Sequence, residues 1–414
     1  MPASAGTVST RTDVCVVGGG PAGLLLGLLL AKRGSGVIVL EGHETFDREF
    51  RGEVLQPSTA RLLDEIGLLD YVREQPHLAL TEGKLVVKGK VAGGFTFKRI
   101  APGYPYALWM PQPVFLDALV RKAGPFKSFQ CWMGARVEEL VEENGAVVGV
   151  RGVRHGKDPF EIRADAVVGA DGRHSIVRRL GKFDMEYEED DFDIIWFVVE
   201  PPPGWPKTIY FSVGSTPPLL MLPKYPDHIQ VGLVFPKGEW RAWRKEGVAV
   251  VAKRLARLSP LFGKFAEGLK DFTPFFPLPA EISLVRDWAR DGLLLIGDAA
   301  HTMSPAGAIG VNVALATAAV AAQVIHPRLG RGAIPRSELA KVQELREGDV
   351  RTLHRFQRRA GQILLGTGGR NPALRAFLQR GLPLVVRSKL FPLLQRRILF
   401  GVPIPPLDQG FRFE

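Results

Sequence analysis

The stretch from Thr12 to Glu41, TDVCVVGGGPAGLLLGLLLAKRGSGVIVLE, reads as strand, glycine turn, helix and second strand. Asp13 to Val17 is a short apolar run rich in β-branched residues, the pattern of a strand buried on both faces. Gly18-Gly19-Gly20-Pro21-Ala22-Gly23 then fits G-x-G-x-x-G. Gly18 permits the tight turn, Gly20 lets backbone approach a pyrophosphate, and Gly23 lets the following helix lie close on the sheet. That helix, from about Pro21 to Arg33, points its N-terminal amides and positive dipole end at the phosphates. Val37 to Leu40 is the second strand. Glu41 stands at its end, 18 residues after Gly23, where a carboxylate accepts hydrogen bonds from ribose hydroxyls. An isolated glycine turn carries little information; strand, helix, strand and terminal acid in this order specify an adenine dinucleotide site.

Working outward, the 414 residues exceed one ordinary core, and a composition of 46% hydrophobic and 23% charged residues is that of a globular protein. No transmembrane helix and no signal peptide are expected, and a cytoplasmic setting is. Cys15 and Cys131 are the only cysteines. Cys15, inside the first strand, reads as a packing residue, and neither a disulfide nor a metal site is expected. The net charge is +11, and all of that excess lies from Arg328 to Glu414, which holds 17 Lys and Arg against 6 Asp and Glu.

A polar loop after Glu41 carries Arg48 and Arg51, candidates for phosphate contact, and Pro57 opens a helix. Lys84 to Lys98 reads as paired strands around a glycine turn. Gln112 precedes a short helix, and Asn144-Gly145 joins two alternating strands. Asp165 to Ala170 is another buried strand, ending in Asp171-Gly172. From Phe183 to Leu284 short strands separated by proline turns indicate an antiparallel sheet. Leu293 to Ile296 is a further buried strand, running into Gly297-Asp298-Ala299-Ala300-His301 and then an alanine-rich helix. Three segments thus pair a buried strand with a glycine and an acid at its C-terminal end, where open α/β sheets bind ligands.

On these motifs the chain resembles the single-component flavin monooxygenases of the para-hydroxybenzoate hydroxylase class. GADGRHSIVRR, with Asp171, Gly172, Ser175 and Arg178, is similar to that family's Asp-Gly motif. LLLIGDAAHTMSPAGAIGVN, with Asp298, Pro305, Gly307, Gly310 and Asn312, is similar to its Gly-Asp motif. The resemblance implies an α/β fold: a Rossmann-like FAD-binding domain, an inserted antiparallel β-sheet substrate domain and a helical C-terminal segment. It divides the chain into FAD-domain parts at 1–80, 101–182 and 286–330, a substrate-domain hairpin at 81–100, a substrate domain at 183–285 and a basic segment at 331–414.

By the same resemblance the dinucleotide is FAD. Gly18, Gly20, Pro21, Ala22 and Gly23 surround the pyrophosphate, with Arg51 near it, and Glu41 holds the adenosine ribose. Gln112 contacts the flavin, Asp171 lies between FAD and the route of NAD(P)H, and Asp298 binds the ribityl chain beside Pro305. Gly310, Val311 and Asn312 present amides to the pyrimidine edge, where reduced flavin carries negative charge. The implied reaction is hydroxylation of an aromatic or polycyclic small molecule by a C4a-hydroperoxyflavin formed from O2, with NAD(P)H as transient co-substrate.

Alternatives keep FAD and drop oxygen insertion, as an isoprenoid or quinone reductase or oxidase, or keep only flavin binding. No catalytic base is assigned. His301 reads as a packing residue, and His43, Tyr210, Lys224 and His228 read as surface or strand residues rather than substrate contacts. No nucleic-acid motif accompanies the basic tail. Its stretch Leu382 to Val402 reads as packed helices rather than a membrane-interface helix, because Pro383, Pro392 and Pro403 interrupt it. The oligomeric state is left open.

Overall fold

The computed structural model describes residues 8–47, 53–87, 89–213, 217–366 and 406–414, together with residues 381, 384 and 388. Arg48, Arg51 and nearly all of the stretch from Leu382 to Val402 lie outside these residues.

The apolar runs read from sequence form the spine of a parallel sheet. Its order is Ala289–Arg290, Leu293–Leu295, Asp158–Gly169, Val8–Val17, Val37–Leu40 and Phe129–Trp132. Apart from the edge strand Ala289–Arg290, which pairs antiparallel, the neighbours run parallel. Val17 lies opposite both Gly169 and Leu40, and Gly169 opposite Leu295. The segments that follow these strands therefore leave the sheet at one edge. Two helices cover it: Pro21–Lys32, buried from Ala22 to Ala31, and Gly310–Ile325. An antiparallel hairpin, Ala135–Glu143 with Ala146–Arg154, extends the middle strand. Its turn residues Asn144 and Gly145 have φ of 50° and 82°, the left-handed pair that this two-residue hairpin turn requires.

A second sheet of eight strands runs His301–Thr302, Phe276–Val285, Met185–Val199, His228–Pro236, Leu219–Lys224, Ile209–Val213, Glu82–Val87 and Lys90–Thr96. One pairing in it is parallel, Ile209–Val213 with Glu82–Val87, which the local pattern of alternation does not foretell. One of its faces packs under the helix Val248–Leu258 around Phe197, Phe235, Trp240 and Phe262. The other faces a small three-stranded layer of Val54–Leu55, Ala107–Trp109 and Leu78–Leu80.

One segment, Gly310–Arg328, is long and apolar enough to cross a membrane by length and composition alone. With 61% of it buried inside the protein, it is placed as a core helix. A 26-residue helix, Lys341–Gly366, crosses behind it. The last nine residues return to the first sheet's side, where Phe411 and Phe413 are buried against the parallel-sheet core.

Candidate active site

The common edge of the parallel sheet gathers the three glycine-acid segments around the first turn of the helix Pro21–Lys32. Gly18, at φ +112°, passes so close to the next strand that a Cβ would lie 2.4 Å from Ala170 O and 2.7 Å from Asp171 Cα. At Gly23 a Cβ would meet Gly18 O at 2.0 Å, so the helix is seated directly on the turn. A Cβ at Gly297 would be 3.3 Å from that of Ala22. Gly20 differs: a Cβ there meets nothing within 4 Å. Its freedom from side chain leaves room for a ligand, and the first-turn amides beside it have no intrahelical acceptor.

Glu41 is buried, and its carboxylate closes the turn from the other side. Oε2 accepts from Gly19 N at 3.1 Å, and Oε1 from His43 N at 3.0 Å. The His43 ring, largely exposed, sets Nδ1 2.7 Å from the same Oε1. Asp171 works mainly as a local brace. Its Oδ1 accepts from the Ser175 hydroxyl at 2.5 Å, and its Oδ2 from the amides of Ile176 and Val177 at 2.7 and 3.1 Å. Burial pushes this carboxyl up, while the hydroxyl and the two amides pull it back. Arg178 ties the turn to its neighbour, donating to Ala299 O at 2.9 Å and to Arg173 O at 2.6 Å. Arg173 Nε in turn lies 3.5 Å from Asp298 Oδ2, whose side chain is about one-third exposed at the edge.

Beyond Asp298 the loop from Pro305 turns tightly, with Gly307 and Ala308 both at positive φ, and enters the helix Gly310–Ile325. Gly310 and Val311 are its first two residues, whose amides have no partner within the helix. The amide of Asn312 is drawn inward to Ile309 O at 3.0 Å, and its side chain is wholly engaged by residues 54–59 and Ala308. Gln112 is buried at the start of its helix, just after Met110, whose amide donates to Glu53 O at 2.8 Å.

His301 is buried against Trp288, 5.0 Å between rings. The Thr317 hydroxyl donates to Val313 O, so His301 Nε2–H donates to Thr317 Oγ1 at 3.1 Å, an assignment that follows from the network. Burial lowers its pKa to about 3. A ring so held is a neutral packing group. Cys15 is likewise a core residue, its thiol pushed up to about 12 by burial. Among the described residues no cluster of His, Cys, Asp and Glu could hold a metal ion. Tyr210 packs near Trp205, 5.8 Å between rings, and His228 is exposed. Lys224, in contrast, makes an ion pair with the mostly buried Glu53.

Several positions that sequence reasoning passes over hold this site together. Gln56 donates through Nε2 to Gly307 O at 3.1 Å, and Thr59 donates to Asn312. Gln357, on the helix Lys341–Gly366, donates to Ser304 O and Ala306 O at 2.7 and 2.8 Å and accepts from Ser304 N at 3.1 Å. His354, one turn earlier, donates to Thr302 O at 3.0 Å. Each lies far along the chain from its partner, so only the burial of a polar residue in an otherwise apolar helical stripe signals it.

A turn that leaves space only at Gly20, a carboxylate braced at its side and a second helix start at Gly310 together fit an elongated dinucleotide. Comparison with known proteins agrees. Residues 11–332 match the family model described as an FAD binding domain. The chain is 35% identical over 393 residues, 94% of it and 93% of the relative, to 6-methylpretetramide 4-monooxygenase of Streptomyces rimosus. It is 25% identical over 363 residues, 82% of it and 84% of the relative, to a digeranylgeranylglycerophospholipid reductase of Methanocella arvoryzae. Its fold is similar to that of p-nitrophenol 4-monooxygenase from Pseudomonas putida, with a TM-score of 0.75, 21% identity and coverage of 96% and 100% of the two chains. The chain belongs to the FAD-binding domain family, and within it to the single-component FAD-dependent aromatic monooxygenases.

Proposed function

We propose that this enzyme uses NAD(P)H and O2 to hydroxylate a polycyclic phenolic compound. The observation that carries the reading is an aromatic cluster between the second sheet and the three-stranded layer. Trp109, Phe97, Phe192 and Trp196 pack there with Ala306, and Ala308 lies beside them, both from the loop that leads into the Gly310 helix. A planar apolar substrate would find aromatic partners and little water next to that loop. The polycyclic substrate named for the relative at 35% identity supports the substrate class.

Bound FAD would supply hydride acceptance from a nicotinamide and activation of dioxygen. The chain's own residues bind and orient. The Gly18–Gly23 turn and its helix would hold the phosphates, Glu41 the ribose and Asp298 the ribityl hydroxyls. The amides of Gly310 and Val311 would face the pyrimidine edge and stabilise negative charge there. Arg51 and Gln112 would complete the cradle. The nicotinamide would visit an open groove rather than a second dinucleotide fold.

Turnover under isotopically labelled dioxygen tests the reading. Consumption of NADH or NADPH should rise when a hydroxyanthraquinone is added, and the product should carry labelled oxygen. A product with a saturated double bond and no label would instead place the chain with the reductase relative.

A further inference from the structure

Lys224 ends the strand Leu219–Lys224 of the second sheet, and Glu53 immediately precedes Val54–Leu55 of the three-stranded layer. Lys224 Nζ lies 3.2 and 3.4 Å from the two carboxylate oxygens of Glu53 and 4.6 Å from the centre of the Trp109 ring. The two charged side chains are 22% and 12% exposed. This is a largely desolvated pair, which a structure gains little stability by keeping in apolar surroundings. Beside it are polar atoms without partners. The indole N–H of fully buried Trp109 has no acceptor, and Oε1 of buried Gln56 has no donor.

The pair also sits next to the cofactor loop. Val54 O accepts from Asn312 Nδ2 at 3.2 Å, Trp109 is the register partner of Val54, and Ala306 packs in the Trp109 cluster. The surrounding strands add few other charges. His228, the register partner of Lys224, is exposed, and Asp227 pairs with Lys207 at the surface. Ala107 and Leu108 carry none.

We infer that Lys224 and Glu53, packed over the Trp109 ring, form the anchor for an ionisable hydroxyl of the aromatic substrate. The substrate O–H bond breaks toward Glu53, whose carboxylate takes the proton. The electron pair stays on the substrate oxygen, held by the Lys224 ammonium. Glu53 later returns the proton to water, so the step needs no oxidant. Burial raises the Glu53 carboxyl, with Lys224 partly opposing, which suits it to accept a proton from a phenol. The ionised oxygen feeds electron density to its ortho and para carbons, the positions an electrophilic oxygen attacks. This inference rests on the aromatic-hydroxylase reading and narrows its substrates to phenols acidified on binding.

Alizarin, a dihydroxyanthraquinone whose colour reports its ionisation, tests the anchor on the FAD-loaded enzyme. Bound to wild type it should ionise about one pH unit lower than free in solution. K224M should abolish that shift and K224R preserve it. E53Q keeps the ammonium and removes the competing carboxylate, so it should lower the value further. K224M should also lose kcat at neutral pH and recover it at high pH, where the phenol is already ionised. If K224M does not hold FAD, an E53Q titration equal to wild type overturns the inference. Alizarin that binds and ionises alike in wild type and K224M overturns the anchor alone; alizarin that does not bind wild type overturns it together with the polycyclic-phenol reading.

Discussion

The side-chain oxygen of Asn312 lies 2.7 Å from the backbone nitrogen of Gln56, and so joins the Gly310 helix to the start of the Pro57 helix, 256 residues earlier in the chain. Thr59 donates to the same oxygen at 2.6 Å, and the Asn312 amide donates to Val54 O and Ala308 O at 3.2 and 3.0 Å. No other side chain type offers an acceptor and two donors at this length and geometry.

Replacing Asn312 therefore strands several buried polar groups at once. Asn312→Ala should destabilise the enzyme by about 2–4 kcal/mol in urea unfolding. It should also weaken FAD binding about tenfold, a difference of ~1.4 kcal/mol, by loosening the Gly310 and Val311 amides. Asn312→Asp keeps the acceptor but faces two carbonyl oxygens with a carboxylate, and should be no better. Wild-type stability in Asn312→Ala would show that the junction is not structural.

Two buried histidines set an acid limit. Burial lowers His301 to about 3 and His354 to about 4, from an ordinary value of 6.5. In the unfolded chain both rings take up protons as pH falls through about 6.5, while the folded protein holds them neutral. Their contribution to stability is thus complete above 6.5 and declines as pH drops toward the folded values. His354→Gln keeps a donor for Thr302 O without a titrating ring. Its loss of stability between pH 7 and pH 5 should be smaller than wild type by up to ~2 kcal/mol. Equal acid limbs in urea titrations would contradict this.

The C-terminal residues clasp the first sheet's helices. Phe413 N donates to Ile66 O at 2.8 Å, and Lys32 and Lys122 each sit 5.5 Å from the Phe413 ring. Arg33 pairs with Asp408 at 2.8 Å. Phe413→Ala should cost ~3 kcal/mol, chiefly through the lost packing, and leave FAD affinity unchanged. A calorimetric melt equal to wild type would mean the clasp is loose in solution.

The parts of this fold legible in the sequence are those with local causes. The strand at Val37–Leu40, the helix opening at Pro57 and the turn at Asn144-Gly145 follow from periodicity, proline and glycine, and each is found where it was expected. The convergence of Glu41, Asp171 and Asp298 on one edge follows from three buried strands ending in glycine and an acid. The side-chain duties were less legible. Asp171 braces Ser175 to Val177, and a capping aspartate and a ligand-facing one are the same residue in a sequence. The roles of Gln56, Thr59 and Gln357 depend on partners some 50 to 250 residues away. The Lys224–Glu53 pair joins different sheets, and nothing near either residue announces the other.

Comparing two glycines of the turn tests the central claim, that one FAD is held where the three segments meet. At Gly23 an added Cβ would lie 2.0 Å from Gly18 O, whereas at Gly20 it meets no protein atom within 4 Å. Gly23→Ala should lower both FAD content and the melting temperature of the cofactor-free protein. Gly20→Val should lose FAD while its melt matches that of cofactor-free wild type, the proper reference because bound ligand itself stabilises. The decisive measurement is the flavin absorbance and FAD affinity of purified Gly20→Val. A colourless, folded protein is the expected result, and a fully yellow protein of unchanged affinity would contradict the account.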